Sequence, residues 1–323
     1  MTPSLAVIFV NYRSSKLLLD ALSSLYRETA GTPPDVWVVD NASGDDSRDR
    51  ILDAFPAVQW IDMGYNAGFA RANNAGIRAA GDKDVLLLNP DTIVLDRAVE
   101  KAYAQLCDSD FVACGVQLLN PDGSPQISGN FFMKGGLNHL LLLPYLGALL
   151  RWIGYRSGTK VPNVREAGSV HPVEWVSGAF LMVKRSAIRQ AGLMDEDFFL
   201  YAEEVEWCAR LGKVGPLCIF GEERIIHLQG ETVQDGKGYS GLTTRKDFQL
   251  MLSNHLRVRK QFGVGWFLVL LLGYTAGVPV FFLGNIFTLR GLSAPAQFAR
   301  NVARLWWWTP RIIGGRPHFY KVL

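Results

Sequence analysis

The sequence predicts an α/β fold, a doubly wound and mostly parallel sheet with helices on both faces. Three observations carry this. The short apolar runs 5–10, 36–39, 58–61 and 85–88 read as buried strands, too short for helices and too apolar for half-exposed strands. Stretches of helical period separate them, and such alternation closes by right-handed crossovers into a parallel sheet. Three of the runs lead into polar residues, at Asn11, Asp40 and the Asn89-Pro90-Asp91 turn, and open α/β sheets bind ligands at the carboxyl ends of their strands.

The first strand ends at Asn11-Tyr12, and the helix after it has a broad apolar face of Leu17, Leu18, Leu19, Ala21, Leu22 and Leu25. The second ends on Asp40, followed by Asn41-Ala42-Ser43-Gly44-Asp45-Asp46. After the third, Gly64 to Gly76 opens a helix that is polar and glycine-rich at its start, with Asn66, Gly68, Arg71 and Asn73. Small residues let a ligand come close, and a helix N-terminus favours anions. The fourth run meets Pro90, which has no N–H for sheet pairing, and leaves Asp91 just past the edge. Asp91 suits either a ligand or the cap of a helix from Ala98 onward. Asp40 suits a base or ribose, and a second carboxylate deeper in the edge suits a hard divalent cation on phosphates.

A fifth strand is expected at 111–119, closed by the turn Asn120-Pro121-Asp122-Gly123. Residues 124–171 lose their period, and the apolar block 137–150, broken by Pro144 and Gly147, reads equally as a lid helix or a lipid-touching surface. Order returns at 173–183, two short strands around Ser177-Gly178-Ala179, whose small residues let backbone pass close to a bound group. A helix with Leu200, Val205, Cys208 and Leu211 on one face follows, with Glu203 and Glu204 near its first turn. Two acids there suit the helix dipole, or, shielded by Phe198-Phe199-Leu200-Tyr201, a general base. His227 falls at another strand end.

Composition excludes several classes. A net charge of +3 over 323 residues gives no indication of nucleic acid. Cys107, Cys114, Cys208 and Cys218 show neither a C-x-x-C pair nor zinc-ligand spacing, so buried thiols in a reducing compartment are expected. Residues 1–10 offer no basic leader and no long apolar stretch, so the body is expected to be cytosolic. The turn after the first strand, Asn11-Tyr12-Arg13-Ser14-Ser15, lacks the glycine-rich loop of a dinucleotide-binding dehydrogenase or a nucleotidyltransferase.

With these pieces in order the chain resembles the inverting glycosyltransferases of family 2, in particular the rhamnosyltransferase-like group of bacterial surface-polysaccharide enzymes. The resemblance rests on Val10-Asn11-Tyr12, Val39-Asp40-Asn41-Ala42-Ser43, Asn66 with Gly68, Arg71 and Asn73, Asn89-Pro90-Asp91, Ser177-Gly178-Ala179, Glu203-Glu204-Val205-Glu206 and His227. It covers roughly residues 4–260. It implies an A-type glycosyltransferase fold: a catalytic domain over 1–260, with a Rossmann-like nucleotide half at about 1–119 and an acceptor half at 120–260. It also implies a nucleotide-diphosphate-sugar donor, with rhamnose on dTDP the nearest by likeness, and a divalent cation, Mg²⁺ or Mn²⁺.

By that likeness Asp91 is the metal-binding acid of the D-x-D motif, and His227 stands beside the metal. Asn11, Tyr12, Asp40, Asn66, Arg71 and Asn89 are implied at the donor, Ser177, Gly178 and Glu203 around the acceptor, and Glu204 as the base. The implied reaction is one in-line displacement with inversion. The chain departs from the family pattern at Asn89, where the motif's first acid is expected, and at Glu204, where the usual pair is Glu-Asp. These departures keep open a non-catalytic relative that binds a nucleotide sugar or scaffolds an assembly.

Residues 261–289 carry no charge and are long enough for a bilayer, which needs about 20 residues. Gly277 and Pro279 interrupt them, and both flanks are basic: Arg257, Arg259 and Lys260 before, and Arg290, Arg300, Arg304, Arg311, Arg316 and Lys321 after. A simple span would put one basic flank outside. A helical hairpin or re-entrant segment with both ends cytosolic is therefore expected over 261–289, followed by a basic, aromatic tail with Trp306, Trp307 and Trp308 at headgroup level, the two making up a membrane-associated region over 261–323. A buried core or dimer-interface hairpin competes with it. The membrane reading puts the protein at the cytoplasmic face of the bacterial inner membrane, meeting a polysaccharide or polyprenyl-diphosphate-linked acceptor at that surface.

Overall fold

Each predicted apolar run becomes a strand in the computed structural model, which describes residues 4–31, 33–156, 163–164, 166–228 and 242–323. The alternation runs β1 (Leu5–Asn11), α1 (Ser15–Arg27), β2 (Asp35–Asp40), α2 (Ser47–Ala54), β3 (Gln59–Asp62), α3 (Gly68–Ala79) and β4 (Asp84–Leu88). It continues with β5 (Thr92–Val94), α4 (Ala98–Cys107), β6 (Ala113–Leu119), β7 (Gly129–Asn130), 3₁₀ turns over Lys134–Leu142, and α5 (Leu146–Arg156). Short pieces follow, β8 (Asn163–Val164), β9 (His171–Val173), β10 (Trp175–Val176) and β11 (Phe180–Val183), then α6 (Arg185–Ala191), α7 (Glu203–Leu211) and β12 (Leu217–His227). Three long helices end the chain: α8 (Arg245–Phe262), α9 (Val264–Phe287) and α10 (Ser293–Gly314).

One compact unit comprises Met1–Phe131, Asn163–Glu196 and Glu204–Val233. Among the described residues its main sheet has nine strands in the order β3-β2-β1-β4-β11-β6-β12-β5, with β9 on β12, and a small second sheet is ordered β10-β7-β8. Strands β1 to β4, β6 and β12 point the same way, while β11 runs against both β4 and β6, and β5 and β9 against β12. Successive side chains of a strand leave by opposite faces, so a sheet covered on both sides needs continuous apolar runs. Val7 and Phe9 accordingly join Leu18, Leu22 and Leu25 of α1, and Ala6 and Ile8 join Ile77 of α3 and Trp207 of α7. Gly76 lets α3 close on β1, since a Cβ there would stand 2.6 Å from Cγ2 of Ile8.

Two sequence expectations change here. Asp91 does not cap the helix at Ala98, because β5 intervenes and α4 starts after Arg97 with no side-chain cap. Leu200 lies before α7, whose buried residues include Trp207, Cys208 and Leu211, so the helix begins on the two acids themselves.

The second unit comprises Phe132–Pro162, Asp197–Glu203 and Gln234–Leu323. Helix α8 therefore belongs with the C-terminal helices. It opens on a reciprocal cap in which Thr244 accepts from the Asp247 N–H and the Asp247 side chain accepts from that of Thr244. Phe248, Leu252 and Leu256 of α8 pack with Phe267 and Leu271 of α9 and with Leu305, Trp308 and Ile312 of α10.

In place of the hairpin expected within 261–289, α9 is one continuous helix of 24 residues. Pro279 is accommodated because its missing N–H leaves only the Thr275 carbonyl without a helical donor. Among the described residues α9 alone is long and apolar enough to cross a membrane. The irregular apolar block lies along it: Leu140 sits over Gly273, Leu143 over Gly277 and Tyr145 over Gly284, where side chains at the glycines would collide or crowd. Leu149, Trp152 and Ile153 of α5 stay exposed, as do Leu272, Leu283, Ile286 and Phe287 of α9 and Trp307 of α10.

Candidate active site

The carboxyl edge of the sheet gathers the polar residues foreseen from sequence. Asn11 and Asp40 are register partners at the ends of β1 and β2. Nδ2 of Asn11 donates to Oδ1 of Asp40 at 2.8 Å and to Oγ of Ser43 at 3.1 Å, and the Ser43 N–H donates to Oδ2 of Asp40 at 2.9 Å. The three residues are buried and lock the β2 turn into one shape. Buried Asn41 then ties that turn to α3: its Oδ1 accepts from the Ala67 N–H at 3.2 Å, and its Nδ2 donates to the Gly68 carbonyl at 3.0 Å. Oδ1 of Asn66 accepts from the Gly68 N–H, which shapes the start of the helix. Tyr12 is exposed beside this edge. Arg71 donates through Nε to the Glu196 carbonyl at 3.0 Å, so part of its guanidinium serves the fold.

Asp91 and His227 are brought together from residues 136 positions apart in the chain, with Oδ1 and Nε2 separated by 3.4 Å. The register of β5 on β12, His227 opposite Thr92, sets this, and the Leu228 N–H donates to the Asp91 carbonyl at 2.8 Å. Nδ1 of His227 lies 3.0 Å from Oε1 of buried Gln126. Gln126 itself donates through Nε2 to the His227 carbonyl at 2.7 Å and to Oδ1 of Asn120 at 2.8 Å.

Glu204 begins the other half of the site. It lies in the first turn of α7, and a Cβ built on Gly178 would be 3.4 Å from its Cγ. Gly178 belongs to the turn between β10 and β11, in which the Ser177 N–H donates to the Ser128 carbonyl. The next residue of that turn, Ala179, offers its carbonyl to the Asn89 N–H at 3.1 Å. One short turn thus holds Asn89, two residues before Asp91, and runs beside Glu204. Glu203 is buried. The backbone leading into α7 is strained, with Tyr201 and Ala202 at left-handed φ of 73° and 66°. Glu206 makes a two-pronged ion pair with Arg210 on the same helix, a structural role.

The donor set fits one hard cation. A carboxylate oxygen and a ring nitrogen that are neighbouring ligands of an octahedral ion at about 2.1 Å stand about 3 Å apart, close to the separation observed here. Among the described residues no cluster of three or more His, Cys, Asp or Glu forms a metal cage. Further ligands would therefore come from phosphates and water, the usual habit of Mg²⁺. Burial pushes the thiols of Cys208 and Cys218 up to about 12, in keeping with inert structural cysteines.

Gln126 and Asn120 were not foreseen as part of this cluster. Asn120 was visible only as a turn residue, and Gln126 falls in the stretch without period, so only the folded chain reveals its neighbour.

Residues 5–154 match the sequence profile of Glycosyl transferase family 2. The chain is 30% identical over 219 residues to the low-salt glycan biosynthesis hexosyltransferase Agl10 of Haloferax volcanii, the match covering 65% of this chain and 62% of that one. It is 29% identical over 279 residues to an N-acetylglucosaminyl-diphospho-decaprenol L-rhamnosyltransferase of Mycobacterium tuberculosis, covering 79% of this chain and 86% of that one. Among solved structures it is similar to GalNAc-T7 with UDP, GalNAc and Mn²⁺, with a TM-score of 0.55 at 12% identity, covering 80% of this chain and 48% of that one. The last likeness is one of fold. The chain spans less than two thirds of the hexosyltransferase and about half of GalNAc-T7.

Proposed function

We propose, from the premise that residues 5–154 match Glycosyl transferase family 2, that this chain is a glycosyltransferase and moves a sugar from a nucleotide-diphosphate donor to an acceptor hydroxyl with inversion. The observation that carries this is the convergence of Asn11, Asp40, Asp91 and His227 on one sheet edge, with Glu204 beside the turn that also pins Asn89. In one displacement the acceptor oxygen bonds to the anomeric carbon, its proton passes to the Glu204 carboxylate, and the bond from that carbon to the diphosphate breaks. Asn11, Tyr12, Asp40, Asn66, Arg71 and Asn89 line the donor side, where the β2 turn meets the base and ribose. Ser177 and Gly178 leave room for the acceptor beside Glu204, with Glu203 supporting the start of the helix. Asp91 and His227 would hold a divalent cation, Mg²⁺ or Mn²⁺, which would supply charge neutralisation for the diphosphate.

Rhamnose on dTDP is the donor nearest by likeness, and the mycobacterial relative's name supplies a polyprenyl-diphosphate acceptor as the matching lipid-linked class. Such an acceptor is met at a membrane. The second unit suits that surface, since it carries 16 Lys and Arg against 4 Asp and Glu, while the sheet unit carries 17 against 26. Basic segments bearing exposed Trp, Leu and Phe bind anionic lipid. The packing of the 140–145 segment along α9 favours a helix lying in the interface over one crossing the bilayer. We propose on these grounds that the protein works at the cytoplasmic face of the bacterial inner membrane in surface-polysaccharide synthesis.

The test is a panel of UDP-, dTDP- and GDP-sugars with Mn²⁺ or Mg²⁺, scored for transfer and slow donor hydrolysis. Wild type should act on one nucleotide class, and Glu204→Gln should lose about 10²- to 10⁴-fold, the usual contribution of a positioned base. Equal activity in the two proteins would sink the assignment of the base, and donor binding without turnover would favour a non-catalytic relative.

A further inference from the structure

The Asp91–His227 pair leaves one group unexplained, the buried amide of Gln126 that bridges both ends of the His227 residue. Its orientation is fixed by chemistry. A backbone carbonyl can only accept, so the amide nitrogen must be the atom 2.7 Å from the His227 carbonyl. The same nitrogen donates to Oδ1 of Asn120, and Asn120 is itself oriented, because the Ser124 hydroxyl gives its proton to Asp122 at 2.6 Å and is left to accept from Nδ2 of Asn120 at 2.8 Å. Oε1 of Gln126 is left facing Nδ1 of His227 at 3.0 Å. An amide oxygen can only accept, so Nδ1 must carry the proton.

A neutral imidazole with its proton on Nδ1 presents a lone pair at Nε2. That lone pair faces Oδ1 of Asp91 across 3.4 Å, longer than a good N–H···O bond. Two acceptors aimed at the same space repel each other unless a proton or a metal cation lies between them, so the neutral ring is set up to take the metal there. We infer that Gln126 is a positioning residue for the cation site: it fixes the His227 tautomer and ring direction so that Nε2 is already a ligand before metal arrives. This rests on Asp91 and His227 being the metal ligands of the proposed transferase. Outer hydrogen-bond partners of metal-binding histidines commonly act in this way. Gln126 is suited to it, being buried and anchored by its own N–H to the Leu118 carbonyl at 2.8 Å, at the end of β6.

The experiment uses the full chain in detergent or lipid nanodiscs, with histidine ¹⁵N-labelled. Long-range ¹H–¹⁵N correlation of the metal-free protein at about pH 8 reads which nitrogen of His227 holds the proton, with the signal assigned by its loss in His227→Asn. Mn²⁺ affinity is read separately by electron paramagnetic resonance with nucleoside diphosphate present. The wild type should carry the proton on Nδ1. Gln126→Met should mix the tautomers and weaken Mn²⁺ by about 10- to 100-fold, the usual effect of losing such a partner. Gln126→Glu, whose one carboxylate oxygen still accepts from Nδ1 while the other loses the donation to the His227 carbonyl and to Asn120, should keep the tautomer and recover part of the affinity. A wild-type His227 protonated on Nε2 or on both nitrogens overturns the inference, and so does Mn²⁺ binding unchanged in Gln126→Met. If the wild type binds no Mn²⁺ at all, the metal reading of Asp91 and His227 falls first and the inference with it.

Discussion

A methyl group built on Gly178 would lie 3.4 Å from Cγ of Glu204, in ordinary van der Waals contact and with no clash. Gly178 does not take a left-handed φ, so it is there for space and not for backbone freedom. Gly178→Ala should therefore fold normally and keep activity within a few-fold. Gly178→Val should push the Glu204 side chain aside and cut kcat by about 10²-fold, since displacement by about 1 Å can cost that much. Steady-state kinetics of the two variants beside their melting temperatures checks this. Equal loss in both would mean that Gly178 acts through the turn and not through Glu204.

Asp91→Asn keeps the shape of the site and removes its one carboxylate near His227. Transfer should fall by at least about 10²-fold and its dependence on added Mn²⁺ should move to higher concentration, because a neutral amide is a poorer ligand for a hard cation. Chelation of wild type should stop transfer, and Mn²⁺ or Mg²⁺ should restore it. Full activity after exhaustive chelation would remove the cation from the reaction.

Acid should loosen the helical unit before neutral pH does. Burial pushes the imidazole of His255 down to about 4, and burial together with the Arg257 guanidinium holds His139 well below its ordinary value. His255 donates through Nδ1 to the Met251 carbonyl at 2.7 Å between the rings of Phe267 and Tyr274, and His139 accepts from Arg257 at 2.8 Å. Both are neutral when folded. The unfolded chain takes up protons near pH 6.5, so stability is full above that value and is lost as pH falls from about 6.5 towards 4. The limiting slope is about 1.4 kcal/mol per pH unit for each histidine. Urea unfolding at several pH values should show it, and His255→Met should flatten the slope.

The exposed apolar face of α9 should carry membrane binding together with the basic charge. Replacing Leu283, Ile286 and Phe287 by serine leaves the buried face of Phe267, Leu271, Tyr274 and Phe281 intact. The triple variant should fold but float poorly with vesicles containing anionic lipid, and high salt should weaken wild-type binding through charge screening. Binding that ignores lipid charge, salt and all three substitutions would argue for a protein partner on this face.

Much of the fold was legible because strand and helix periods are local. The runs at 5–10, 36–39 and 85–88 became β1, β2 and β4 almost residue for residue, and Asn11, Asp40, Asp91 and Glu204 could be singled out because each closes or opens such a run. The inserted antiparallel β11 was visible as a strand but not as a neighbour of β4, since pairing order is set by the whole sheet. The tail misled for a related reason. Gly277 and Pro279 look like a break in isolation, yet they lie in one helix, where packing by Leu143 and the neighbouring helices offsets the loss of one hydrogen bond.

The sequence by itself determined which residues end strands, and therefore which side chains reach the ligand edge, because period and burial are written in neighbouring residues. Only the tertiary structure decided what those residues meet. Asp91 faces His227 because β5 pairs with β12 in one register. His227 presents its Nε2 because Gln126, from a stretch with no pattern of its own, holds the other nitrogen. Contacts between residues over a hundred positions apart depend on how the elements pack, and no local periodicity records them.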